Sequence, residues 1–166
     1  LGGRELFREH ARETALVLNE INPDHIRILT LGIKPGTDLA RQVDKGGFTL
    51  PAEAEMIEEQ RLMLEQINGI TSHYANHHSV DLLLEIRGQL PHDKDRLLGI
   101  MDRFLSLTNA EQTNFILGRR LGYYRVLSDQ TNDLQYRFVE EQVKKIHKSD
   151  PDAFEDIFHT LRKKVI

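Results

Sequence analysis

The 166 residues include no cysteine and no tryptophan. With no thiol, disulfides, thiol catalysis, Cys-ligated zinc and Cys-ligated iron–sulfur clusters are excluded from this stretch of chain. No apolar run approaches the roughly 18 residues of a membrane span, so none is expected. The N-terminus lacks a basic region leading into an apolar stretch, so no secretory signal is expected. Basic charge is not in excess either. Lys plus Arg is 22 against 26 for Asp plus Glu, giving a net charge of −4. A pI near 6.1 speaks against general nucleic-acid binding. Nothing points to an oxidising compartment, so a cytoplasmic location is expected.

Charged residues are 29% and aromatics 7%, a balance that suits a helix-rich protein of one domain or one domain with an appendage. Residues 1–90 hold 9 basic and 14 acidic side chains, and residues 91–166 hold 13 and 12. That asymmetry is too mild to name a partner. The chain opens on Leu1-Gly2-Gly3 instead of Met, as expected of a segment cut from a longer protein.

Periodicity organises the first half. Phe7, Ala11, Ala15, Leu18 and Ile21 recur at helical spacing, predicting a helix over 4–21 that Asn22-Pro23 ends. The β-branched run 25–31 predicts a buried strand. Lys34-Pro35-Gly36-Thr37 is a turn with Pro and Gly at its two central positions. A short helix is expected over 38–44, a longer one from Pro51 to about Asn68, and a second strand over 70–75. Such alternation predicts βα units and a parallel sheet. Beyond residue 79 only helices are expected: a short stretch over 79–86, one opening at Pro91, one after the capping box Thr108-Asn109-Ala110-Glu111, one over 132–147, and a last one after Asp150-Pro151 with Val165 inward. Two parallel strands alone leave both edges open.

The densest polar constellation is His73-Tyr74-Ala75-Asn76-His77-His78. At the C-terminal end of a strand it suits polar contact with a ligand. His73 and His77 share a face as strand or helix and could hold a metal through their imidazoles, with no carboxylate completing the set locally and Asp81 one turn on; otherwise the segment is a polar strand end whose Asn76 or Ser79 caps the next helix. Arg27 is the second candidate: strand alternation puts it on one face with His25 and Leu29, and Ile26, Ile28 and Thr30 on the other. A charge within a buried strand either faces a wet cavity, where it would meet substrate or cofactor, or is paired with a helix carboxylate. Lys34 to Thr37 forms a possible site loop. The basic and aromatic stretch 118–125 reads as a solvated helix end with two half-buried tyrosines. Glu53, Glu55, Glu58 and Glu59 read as a solvent face near a helix start.

An ordered series of motifs carries a family resemblance. Leu1-Gly2-Gly3-Arg4-Glu5-Leu6, Glu9-His10-Ala11, Glu13-Thr14-Ala15, Leu18-Asn19 and Pro23-Asp24 are followed by Ile26-Arg27, Thr30-Leu31 and Pro35-Gly36-Thr37. A second group runs from His77-His78 through Leu82-Leu83, Ile86-Arg87-Gly88 and Leu90-Pro91 to Asp93-Lys94. Together they resemble the late barrel segment of radical S-adenosylmethionine iron–sulfur oxidoreductases, over roughly residues 1–105.

The resemblance implies a helix-rich α/β fold: late βα units of a partial TIM-like barrel over 1–88, then an all-helical C-terminal extension over 89–166. It implies a parent enzyme with a 4Fe–4S cluster and S-adenosylmethionine, the cluster held by a Cys-x-x-x-Cys-x-x-Cys loop that this chain lacks. Neither cofactor would be bound by this chain alone, which would be inactive. The expected partner is the missing N-terminal barrel half, with self-association in isolation. Gly2-Gly3 would end one barrel strand. The expected substrate- or cofactor-facing residues are Arg27, Thr30, Lys34, Gly36, Thr37, Asn76, His77 and His78. Family members tend to have Ser-Asp-His where this chain has Ala75-Asn76-His77, so a role of that Asp does not carry over. The rival readings are a non-catalytic helical interaction module built on residues 91–166, and a His-based metal hydrolase using His73 and His77.

Overall fold

The computed structural model describes residues 2–150 and 152–164. Pro151 and Val165, expected to cap and to pack the last helix, lie outside them. The order is α1 (Gly3–Ile21), β1 (His25–Ile28), α2 (Asp38–Asp44), α3 (Glu53–Gln66), β2 (His73–Asn76), β3 (Arg87–Gln89), α4 (Lys94–Leu105), α5 (Asn109–Arg120), α6 (Asp133–Ser149) and α7 (Phe154–Lys164). A short 3-10 helix, Leu127–Thr131, precedes α6. The architecture is helix-rich α/β, with an open three-stranded mixed sheet among the described residues.

The strand order is β1-β2-β3, with β1 parallel to β2 and β2 antiparallel to β3. The parallel pair follows from the α2–α3 crossover, which carries the chain back to the start of the sheet. β3 was not expected. The segment 79–86, predicted as a short helix, is instead a pair of turns that reverses the chain into β3. The second half is therefore not purely helical, and β3 straddles residue 88. Gly3 opens α1, and a strand ending at Gly2-Gly3 would lie outside the described residues.

β1 and β2 are shorter than their apolar runs. The register places His25, Arg27, His73, Ala75, Arg87 and Gln89 on one face of the sheet, and Ile26, Tyr74 and Gly88 on the other. Ile26 and Tyr74 are buried in one apolar cluster with Ala11 and Ala15 of α1 and Ile57 and Leu64 of α3. His25, Arg27, His73, Arg87 and Gln89 are exposed. The strand predicted to be buried on both faces is thus covered on one, because α1 and α3 lie side by side on a single side of the sheet.

The same cluster continues through Leu97, Met101 and Phe104 of α4, Phe115 and Leu117 of α5, Val139 of α6 and Phe158 of α7. The C-terminal helices share one core with the βα units. The capping box at Thr108 forms as the sequence predicts: Thr108 Oγ1 accepts from Glu111 N at 3.3 Å and Glu111 Oε2 accepts from Thr108 N at 2.8 Å. Glycine is required at 118, where an added Cβ would stand 2.2 Å from the buried Tyr124 ring. Tyr124 is therefore not half-buried. Its ring stacks on Phe115, its hydroxyl donates to Asn114 Oδ1 at 2.9 Å, and burial pushes that hydroxyl up to about 12.

Candidate functional site

The sheet's C-terminal end borders a cavity of about 240 Å³. Its walls are the inner faces of α1 and α3, the stretch Arg27 to Leu31, and Asn76, Asp81 and Leu82. Most of the lining is apolar, including Ala11, Ile28, Met56 and Ile57. At its rim His10 Nδ1 stands 2.6 Å from Glu59 Oε1. Concave, mostly apolar sites with a few polar groups are the usual form of a small-molecule site, and open α/β sheets place them here.

Three of the eight expected site residues border this cavity: Arg27, Thr30 and Asn76. Arg27 is exposed on the uncovered face and, among the described residues, makes no ion pair or side-chain hydrogen bond. Thr30 is committed to Asp81, whose Oδ1 accepts from both Thr30 N and Thr30 Oγ1 at 2.8 Å. Asn76 is buried. Its Nδ2 donates to Leu83 O at 2.7 Å and its Oδ1 accepts from Gln60 Nε2 at 2.6 Å. An Asp at this position would have no donor for Leu83 O, so Asn suits the loop as it is built.

Lys34, Gly36 and Thr37 stand apart from the cavity and are exposed. They build the turn into α2. Gly36 has φ +83°, the conformation a Pro-Gly turn requires, and Thr37 Oγ1 caps α2 by accepting from Ala40 N at 3.2 Å. His77 is exposed, and His78 Nδ1 accepts from Val80 N at 3.4 Å within its own turn. His73 lies on the uncovered sheet face, edge-on to His25 with ring centroids 5.8 Å apart. Among the described residues no group of three or more His, Asp or Glu stands close enough to hold a metal.

The organising residue is Asp81, which the sequence offers only as the carboxylate one turn beyond the histidines. Asp81 is buried, and its Oδ2 accepts from His78 N at 2.8 Å while Oδ1 holds Thr30. It ties the end of β1 to the segment leaving β2. That segment, 77–86, is a buried loop whose carbonyls need donors. Arg119 Nη2 donates to Ser79 O at 2.6 Å and to Asp81 O at 3.0 Å, and Arg120 Nη1 donates to Val80 O. The basic stretch 118–125 is thus only in part a solvated helix end: Leu121 to Tyr123 and Arg125 are exposed, while Arg119 and Arg120 hold the loop.

The acidic run is not a solvent face. Glu55 and Glu58 pair with Arg4 and Arg8 of α1 at 2.8 and 2.6 Å. Glu53 is buried and forms a two-pronged pair with Arg120, Nε to Oε1 at 3.0 Å and Nη2 to Oε2 at 2.6 Å. Arg162 Nε lies 3.3 Å from the same carboxylate. These partners are 67 and 109 positions away, so no local pattern announces them. No known protein family, no curated protein and no solved structure matches this chain. Among the described residues no helix is long and apolar enough to cross a membrane.

Replacing Asp81 with Ala should cost about 3 kcal/mol, the scale of three hydrogen bonds to a buried carboxylate left unmade. Urea unfolding would measure it, and a loss under about 1 kcal/mol would contradict the organising role. Glu85 provides a pH test. Its Oε1 accepts from Leu127 N at 2.7 Å, yet burial pushes its carboxyl above the usual range. A carboxyl raised in the folded state favours folding while protonated, and that benefit is lost as pH rises from the ordinary carboxylate value through the folded one. Glu85→Gln should therefore gain stability relative to the parent as pH rises from about 4 to 7. Thermal melts across that range should show the variant's melting temperature minus the parent's rising with pH, and a falling difference would contradict the assignment.

Proposed function

We propose that the chain is a C-terminal part of a radical S-adenosylmethionine iron–sulfur enzyme, contributing part of the substrate- or cofactor-facing wall of a partial barrel. The observation that carries this reading is the one-sided sheet. Parallel β1 and β2 have their helices on one face, and the other face is uncovered and polar. A βα-barrel segment has this form, since its helices lie outside and its inner face and C-terminal ends carry the site. Among the described residues β1 pairs on one side only, which leaves an edge on which a preceding parallel strand would add. The motif series over residues 1–105 supplies the family.

The residues present do not fit a cluster: its ligands would be thiolates, and the chain has none. No reaction step is assigned to them through it. Arg27 is the residue we assign to ligand contact. Its guanidinium is free among the described residues, lies on the uncovered face and not in the cavity between sheet and helices, and is suited to a carboxylate bound on that face, whereas Thr30 and Asn76 hold the cavity wall in place. The interaction-module reading draws on a different surface, where Tyr123 and Phe138 pack at 4.9 Å beside the exposed Leu134.

The natural protein, expressed anaerobically with its complete reading frame, tests the proposal. An upstream three-Cys loop, an iron–sulfur signal by electron paramagnetic resonance and reductive consumption of S-adenosylmethionine are expected. In that protein Arg27→Ala should weaken substrate or S-adenosylmethionine binding at least about tenfold without loss of the cluster signal. A complete reading frame with no three-Cys loop would overturn the proposal.

A further inference from the structure

Arg162 of α7 is an unusual arginine. It is 2% exposed, and three of its nitrogens have only weak claims on a partner. Nη1 reaches Met56 Sδ at 3.3 Å, a poor acceptor. Nε lies 3.3 Å from Glu53 Oε1 without hydrogen-bond geometry, and Nη2 has no partner among the described residues. Glu53 is already bound on both oxygens by Arg120, so two buried guanidiniums share one carboxylate. A buried cationic donor left unpaired is costly, and such groups almost always find an acceptor.

Arg162 also lines a small open cleft with His159 and Lys163 of α7 and with Leu31, Gly32, Ile33 and Leu50. The cleft holds about 10 Å³, close to the room one oxygen atom needs. Arg162 and Lys163 are the cations of its lining, with the Glu53 and Glu155 carboxylates beside them. His159 Nε2 is buried without a hydrogen-bond partner, with Glu155 4.0 Å away. Burial and the Arg162 charge hold the His159 imidazole below its ordinary value, while Glu53 and Asp156 pull it the other way. Burial also raises the Glu155 carboxyl, while Arg4 and Arg162 pull it down.

We propose that this cleft is an oxyanion site, in which Arg162, with Lys163 and His159 at the mouth, receives one oxygen of a phosphate or carboxylate group whose remainder projects outward. The site is separate from the 240 Å³ cavity, although Leu31 lines both. The inference does not rest on the family proposal.

Inorganic phosphate and acetate, each titrated at constant ionic strength against chloride, are the probes. The ring signals of His159 followed by NMR are the readout. Saturable binding should raise the midpoint of the His159 titration, because a bound anion favours the imidazolium. Arg162→Met should abolish the response. Should that variant fail to fold, Lys163→Gln at an exposed position should still weaken binding several-fold and leave the melting temperature without anion unchanged. A response to phosphate alone assigns a phosphate group, and an equal response to acetate assigns a carboxylate. No saturable response to either, or a response undiminished in both variants, would overturn the proposal and leave water as the occupant.

Discussion

Two arginines converge on one buried glutamate, and the arrangement of the molecule depends on that contact. Glu53 opens α3, Arg120 closes α5 and Arg162 lies near the end of α7. Three segments far apart in sequence therefore meet at a single carboxylate. Breaking a buried ion pair typically costs about 3–5 kcal/mol, because the surviving charge is left without a partner. Replacing such a cluster by apolar residues can be neutral, so its value here lies in specifying which helix ends meet. The helix dipoles favour the pairing as well: an acidic side chain sits at a helix start and a basic one at a helix end.

The position of the site follows from this contact. Arg120 donates to Val80 O as well as to Glu53, and its neighbour Arg119 donates to Ser79 O and Asp81 O. The loop 77–86 is thus held from above by α5, and it carries Asp81, which holds Thr30 at the end of β1. A chain of charged and polar contacts links α7 through α3 and α5 to the cavity wall. The C-terminal helices are structural supports of the βα units through these contacts and through the shared apolar core.

Local chemistry made much of this legible in the sequence. α1, α2 and the capping box at Thr108 follow from periodicity and cap residues, and the structure has them within a residue or two of the expected bounds. The alternation of His25, Arg27 and Leu29 against Ile26 and Ile28 was also readable. The coverage of that strand was not, because whether a second layer of helices exists is a tertiary fact. β3 was missed because Arg87-Gly88-Gln89 has no apolar alternation; it forms by pairing with β2, with Leu90 N donating to Ser72 O just beyond it. Of the candidate site residues, Arg27, Thr30 and Asn76 come together, while Lys34, Gly36, Thr37, His77 and His78 serve turns or stand in solvent. Asp81 was visible only as a carboxylate near the histidines, and its structural role was hidden because its main partner, Thr30, is 51 positions away. Glu53 was hidden in a run of like charges whose members have quite different surroundings.

Hydrogen exchange on a Glu53→Gln variant tests the central claim most directly. Gln keeps the shape and removes the charge that holds Arg120 and Arg162. The account predicts faster exchange in α7 and in the 77–86 loop together, with amides of α1 and β1 still protected. Exchange in the 77–86 loop unchanged from the parent would contradict it, since the buried carboxylate would then not be what holds the site's loop in place.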